Sequence, residues 1–416
     1  RVAGPARVAV DVPLAHLDRL FDYAVPPELD AAAAPGVRVR VRFAGRLVDG
    51  YVVDRPAAGS ATGAAGRPRD GHDEPPPARL RPLERVVSAE PVLDEELLRL
   101  CRAVADRYAG TLADVLRLAI PPRHARAERE APTGPPAGLP PVRPPDPGPW
   151  ADYPAGPSYL HSLTAGASPR VVWSALPGQG WLASLSAAVA ATVAGGRGAL
   201  VLVPDRADLT RLDAALTTAL GRGRHVVLTA DVGPPARYRR WLMARRGVVP
   251  VVIGTRAAAF APLARPGLLA IWDDGDDSYD EPRAPYPHAR EVLALRAGLT
   301  GAGLLIGGHA TTVEAAALVE SGWARGLSAP RAAVRARAPL VLAGDDEGAG
   351  GGDPLARAAR LPTQAWRVAR DALSGRAAPG ARPGRTAPGT RPGRTAPDTR
   401  PGRTGDEAAA PPGAPA

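Results

Sequence analysis

The 416-residue sequence contains no lysine, no asparagine, one cysteine, one methionine and three phenylalanines. Without lysine, all 52 basic residues are arginine, and no ammonium group exists to touch a β/γ-phosphate, form a Schiff base or act as a base. The lone Cys101 excludes an internal disulfide and any cysteine-based zinc cluster within these residues. No apolar run reaches the roughly 18 residues of a membrane span, and no signal-peptide pattern opens the chain. A cytoplasmic location without a membrane partner is therefore expected. The first residue is Arg1 rather than Met, which places the expected native start upstream.

What is abundant is equally uneven. With 46 glycines and 49 prolines, nearly a quarter of the chain is turn-forming, so part of it is expected to lie outside any core. The hydrophobic fraction of 45 % still supports two or three folded units. A net charge of +10 favours an acidic partner, with nucleic acid ahead of membrane.

These shifts divide the chain. Residues 1–125 read as a small β-rich domain: "RVAVDVPL" and "GVRVRVRF" alternate as half-buried strands do, and "DEELLRLCRAVADRYAGTLADVLRLAI" is a helical pair with acids in its first turn. Within it, residues 56–78 read as a disordered loop. Residues 126–157 are expected to be a disordered proline-rich linker. Over 158–345, strand-like runs alternate with helical stretches, the mark of a parallel α/β sheet. Residues 346–375 read as a further helical segment. The tail, 376–416, carries the repeat "RPGRTAPGT RPGRTAPDT RPGRTG", a flexible polycation or a product of GC-rich repeat expansion.

Three stretches carry candidate chemistry. On the Val/Arg strand, Arg38, Arg40 and Arg42 share a face at about 6.6 Å spacing, close to the phosphate interval of an extended strand. The alternatives are a DNA-backbone track and a plain solvated face. In "FDY", Phe21 and Tyr23 flank Asp22, an arrangement suited either to stacking a base and holding a sugar hydroxyl, or to a core Phe beside a rim Tyr. In "LLAIWDDGDDSYDEPRAPYPHAR", an apolar strand ends in Asp273-Asp274, where nucleotide hydrolases place their Mg²⁺-ordering acid. A directly bound metal and a solvated acidic loop are the competing readings there. The spacing matches no EF-hand.

The collinear segments "DVPLAHLDRLFDYAVP", "GVRVRVRFAGRLVDGYVV", "GTRAAAFAPLARPGLLAIWDDGDDSYDEPRAPYPHAREVLALRA" and "LIGGHATTVEA" resemble the primosomal replication-restart (PriA) family, most closely its actinobacterial branch. The resemblance implies a β-rich N-terminal domain that captures a DNA 3′ end, followed by one RecA-like parallel α/β helicase lobe. It assigns the 3′-end pocket to Phe21, Asp22, Tyr23 and Gly36, with Arg81 at the position of the family's lysine. The family's phosphate loop falls on Ala175–Leu182, where Gly178 and Gly180 survive, Trp181 replaces the lysine and Leu182 replaces the Mg²⁺-binding threonine. The acidic box becomes Asp273-Asp274-Gly275-Asp276, and Ser-Ala-Thr becomes His309-Ala310-Thr311.

Losing the lysine removes electrostatics on which phosphoryl transfer depends. No catalytic residue, metal, ATP/Mg²⁺ or zinc is expected for this chain, although the family uses ATP, Mg²⁺ and zinc. The winged-helix domain of the family has no counterpart in the short proline linker, nor does the second motor lobe in the residues given. A truncated gene product and a true short form both fit.

The resulting expectation is a replication-restart factor that binds stalled forks or single-stranded DNA ends without helicase activity, near the nucleoid. Its implied partners are other primosome proteins and single-stranded DNA-binding protein. An active ATP-dependent 3′–5′ helicase and a pure protein-interaction scaffold are the alternatives.

Overall fold

The computed structural model describes residues 3–56, 80–136, 138–178, 180–338, 366, 369–371 and 373–374. Contacts divide the chain into Arg1–Pro339 and Leu340–Ala416. The first unit holds two sheets.

The N-terminal sheet comprises β1 (Pro5–Val10), β2 (Leu20–Ala24), β3 (Val37–Phe43), β4 (Arg46–Asp54) and β5 (Leu83–Pro91), in the order β2-β1-β4-β3-β5. Every pairing is antiparallel. The Val/Arg alternation forms β3 because one face is dry: Val37, Val39 and Val41 are fully buried while the arginines point the other way. Ala44 and Gly45, both at positive φ (46° and 80°), make the two-residue turn that joins β3 to β4.

Helices α1 (Glu95–Arg107) and α2 (Leu112–Ala119) follow, capped by Asp94 and Thr111, whose side chains accept the Leu97 and Asp114 amides. Their apolar faces join the core beneath one side of the second sheet.

That second sheet is seven-stranded and wholly parallel: β6 (Arg170–Ser174), β7 (Gly198–Leu202), β8 (His225–Leu228), β9 (Val251–Gly254), β10 (Pro266–Trp272), β11 (Gly303–Gly308) and β12 (Arg325–Ser328). Their order is β12-β6-β11-β10-β7-β9-β8. Strands buried on both faces read as continuous apolar runs, and β7, β9 and β11 are buried at every residue. The connecting helices are α5 (Gly180–Ala194), α6 (Arg206–Leu220), α7 (Pro234–Arg245), α8 (Ala289–Thr300) and α9 (Val313–Glu320), with the short α10 (Arg331–Arg337) after β12. This is the RecA-like α/β lobe the sequence implies.

The proline-rich stretch differs from expectation. Rather than a disordered linker, its described residues form an anchored strap. Helix α3 (Ala125–Glu130) buries Ala127, Ala131 is buried just after it, and a 3-10 turn at Gly148–Asp152 places Trp150 wholly inside the lobe's other core before α4 (Gly156–Thr164) begins. The Trp150 indole donates to the Ser184 carbonyl at 2.8 Å. Apolar residues at the two ends outweigh the prolines between them.

The expected loop 56–78 lies outside the described residues apart from Pro56, as does the whole tail 376–416. In the second unit the described residues are mostly helical, with the Arg370 guanidinium 4.8 Å from the Trp366 ring centre. No helix among the described residues is long and apolar enough to cross a membrane.

Candidate nucleic-acid interface and nucleotide cleft

Strand β2, carrying Phe21, Asp22 and Tyr23, is the outermost strand of the N-terminal sheet. Alternation along it separates the three side chains. Asp22 lies opposite Arg7 of β1, with carboxylate and guanidinium 3.7 Å apart. Phe21 and Tyr23 share the other face. The rings therefore do not flank the carboxylate on one surface.

The expected core Phe and rim Tyr are also reversed. Tyr23 is buried among the valines of β1 and β3 and donates to the Arg42 carbonyl at 3.3 Å. Burial pushes its phenol upward, with Arg81 pulling the other way. Phe21 is half-buried, edge-on to Phe43 at 4.8 Å, with the Arg19 guanidinium 5.0 Å from its ring centre.

Arg81 joins this edge through its backbone: its carbonyl accepts the Ala24 amide at 2.8 Å, and its side chain is exposed. Gly36 lies farther in. Its amide donates to Val52 on β4 and its carbonyl accepts Val92 and Leu93; a Cβ there would sit 2.5 Å from the Leu93 oxygen at φ +89°. Its visible role is close packing. Asp22 and Arg81 are thus brought to one edge with Tyr23 packed inside it, while Gly36 packs against β4 and the segment after β5.

The arginine strip is not an open row of cations. Arg38 donates to the Tyr51 hydroxyl at 2.9 Å and the Pro121 carbonyl at 3.3 Å, tying the sheet to the end of α2. Arg40 pairs with Asp49 and Arg42 with Glu84, each at 2.8 Å. Cross-strand acids absorb the charge that the one-strand pattern displays.

At the degenerate phosphate loop, Gly178 turns at φ +108° and Gly180 begins α5. The Trp181 indole, 4 % exposed, lies flat on Trp272, with ring centres 4.5 Å apart and planes 7° from parallel. Trp272 is the last residue of β10, immediately before Asp273. It also meets Trp173 at 5.6 Å and the His309 ring edge-on at 5.2 Å. Leu182 packs against the same core. Arg211 stands 5.8 Å above the Trp181 ring.

The acidic stretch disperses into structural contacts. Asp274, 2 % exposed, is held by Arg290 at 2.8 Å and by the Thr312 hydroxyl at 2.7 Å. Asp276 accepts the Ser278 amide, and buried Glu281 pairs with Arg256 and Arg283. Asp273 remains largely exposed; partial desolvation, then the neighbouring Asp276 and Asp274, raise its pKa. Among the described residues no three His, Cys, Asp or Glu side chains converge as a metal site. Nothing in the local sequence pattern marks Arg290 and Thr312 as partners of Asp274, from which they lie 16 and 38 residues away.

Residues 7–121 match the family model described as the 3′ DNA-binding domain (3′BD) of PriA. The chain is 53 % identical over 363 residues to the probable replication restart protein PriA of Mycobacterium tuberculosis, covering 87 % of this chain and 53 % of that protein. The chain belongs to the PriA family. The Mycobacterium leprae relative is 50 % identical over 364 residues, 87 % of this chain and 54 % of its own. The chain spans about half the length of these PriA relatives. Among solved structures, the Pyrococcus furiosus Hef helicase domain is similar at 14 % identity and TM-score 0.32, over 44 % of this chain and 40 % of that one. A DEAD box protein from Methanococcus jannaschii is similar at 12 % identity and TM-score 0.30, over 43 % and 48 %.

The N-terminal half of this unit and the lobe share an interface. Arg296, 2 % exposed, donates to Glu96 at 2.8 and 3.0 Å. Arg246 pairs with Glu90 at 2.9 Å, the Tyr108 hydroxyl accepts the His288 amide, and Pro285 packs so closely on Gly110 that a Cβ there would lie 2.4 Å from the ring.

Proposed function

We propose that this chain is a replication-restart factor that binds the 3′ ends of DNA at stalled forks and carries its helicase lobe as a platform, without ATP-driven motor activity. The reading rests on the contrast between its two sites. The edge strand β2 offers a carboxylate and a nearby exposed arginine, while a buried indole stands at the lysine's position in the nucleotide cleft.

At the edge, the Asp22 carboxylate accepts a hydrogen bond from a free 3′-hydroxyl and repels a terminal phosphate. The salt bridge from Arg7 fixes that carboxylate's direction. Arg81 takes the adjacent phosphodiester as a fork of donors rather than as the point charge of a lysine. Tyr23, packed in the sheet's core, holds the strand in place.

ATP–Mg²⁺ does not fit the cleft. Trp181 takes the lysine's position and stacks on Trp272, Leu182 offers no hydroxyl, and Asp274 is already committed to Arg290 and Thr312. The proposed role uses neither a nucleotide nor zinc. Other primosome proteins and single-stranded DNA-binding protein are the proposed partners, at the nucleoid in the cytoplasm.

The test is fluorescence anisotropy with a forked DNA bearing either a 3′-hydroxyl or a 3′-phosphate leading end. A preference for the hydroxyl that disappears in Asp22→Asn, with no ATP hydrolysis stimulated by single-stranded DNA, is the expected result. Equal binding of both ends defeats the end-recognition reading, and DNA-stimulated hydrolysis defeats the motor-free one.

A further inference from the structure

At the end of the lobe where the parallel strands begin, a groove of about 420 Å³ runs between the strap and the turns entering the sheet. Pro136 and Leu139 of the strap form one wall and Val249 belongs to the other; among the described residues lining it, Arg197, Arg224 and Arg265 are the charged side chains, and none is a carboxylate or an aromatic ring.

The three arginines differ in what they are free to do. Arg197 is structural, donating to the Gly166 and Pro266 carbonyls and the Ser168 hydroxyl. Arg224 donates one NH2 bond to the Pro140 carbonyl, fastening the strap and leaving its other donors available. Arg265 is exposed, and among the described residues its guanidinium has no hydrogen bond or ion pair. Its backbone stands at φ +49°, in the left-handed region that strains a non-glycine residue. A glycine would be easier there, as at the neighbouring turn residues Gly196 (φ +74°), Gly223 (φ +80°) and Gly247 (φ +65°). A strained, unpaired cation at a groove without acids is an arrangement that folding alone does not favour.

We infer that this groove is a second DNA contact, taking backbone phosphates in a sequence-independent manner through Arg265 and Arg224. The chemistry selects backbone over nucleotide: without an aromatic ring there is no platform for a base, and without a carboxylate nothing reads a sugar hydroxyl. The glycine turns let a sugar–phosphate chain approach closely. The groove is continuous with the end-binding half, because Arg246, just before Gly247, pairs with Glu90 of β5 and also holds the Ala131 carbonyl at the start of the strap. The inference assumes that the chain binds DNA, as proposed above.

Counterion release makes each phosphate contact visible as about 0.9 in the slope of log affinity against log salt on duplex DNA. A fluorescein-labelled fork with a free 3′-hydroxyl is titrated across a salt series with the wild-type chain, with Arg265→Gly, and with Arg265→Gly combined with Arg224→Gln. Arg265→Gly relieves backbone strain, so its fold is secure. The expected slopes are shallower by about one for the single and about two for the double variant, with the 3′-hydroxyl over 3′-phosphate preference unchanged. Unaltered slopes in both variants overturn the inference and leave the groove to an acidic protein segment or to no ligand. A wild-type chain without end preference defeats the end-recognition reading alone, and the slopes still decide the groove.

Discussion

Trp181 lies flat against Trp272, 4.5 Å from ring centre to ring centre, across the turn where the PriA phosphate loop would hold a triphosphate. The contact joins the start of α5 to the end of β10, so the side chain at the lysine's position belongs to the hydrophobic core.

Trp181→Ala should therefore destabilise the lobe by about 3 kcal/mol or more, the usual cost of truncating a buried Trp. Urea unfolding followed by circular dichroism measures it. Trp181→Lys should lose comparable stability without gaining ATP hydrolysis, since Leu182 and the committed Asp274 remain. Hydrolysis by that variant would show that the indole alone had silenced the site.

At the junction of the two sheets, Glu96→Ala leaves Arg296 buried without its carboxylate. A loss of about 2 kcal/mol is expected, within the range of hydrogen bonds to charged groups. Glu96→Gln, which keeps one acceptor, should lose less. Equal stability of all three proteins would show that the pair contributes nothing net.

Glu128 of α3 gives a pH signature. Burial works against its charge, but bonds from Arg123, Ser88 and Tyr238 outweigh burial and hold its carboxyl below the usual range. A depressed carboxyl contributes stability above its unfolded pKa and loses it as pH falls through the folded value. Stability should thus decline below about pH 4.3, the ordinary glutamate value. Glu128→Gln should be less stable at neutral pH and flatter across that acid window, as urea midpoints taken at each pH would report.

The β3–β4 turn predicts a gain. Ala44 holds φ +46°, which asparagine tolerates better than alanine, so Ala44→Asn should stabilise the chain by about 0.5–1 kcal/mol. A thermal midpoint unchanged or lowered would contradict this.

Much of the architecture is legible along the chain. Val37–Phe43 alternates because one face is dry, and the strands of the parallel sheet read as apolar runs because both faces are covered. What escapes is what depends on partners distant in sequence. The row Arg38, Arg40, Arg42 looks like a cationic track until Tyr51, Asp49 and Glu84 arrive from neighbouring strands. The Phe21-Asp22-Tyr23 run suggests three cooperating side chains, yet strand parity sends the acid to one face and the rings to the other. Trp150, amid prolines, carries no local sign that the lobe's core will enclose it. The Trp181 substitution was visible from the motif alone; its stacking partner was not, because Trp272 lies on another strand.

The strap has a practical consequence. Its middle, between Ala131 and Trp150, is exposed at nearly every described residue, while both ends are fastened and the halves it connects are joined independently through Arg296–Glu96, Arg246–Glu90 and Pro285 on Gly110. These contacts between the halves do not run through the exposed middle of the strap. A protease nick at the exposed middle would leave two fragments that migrate together until denatured, and the same position is a natural place to split the gene or to insert a reporter.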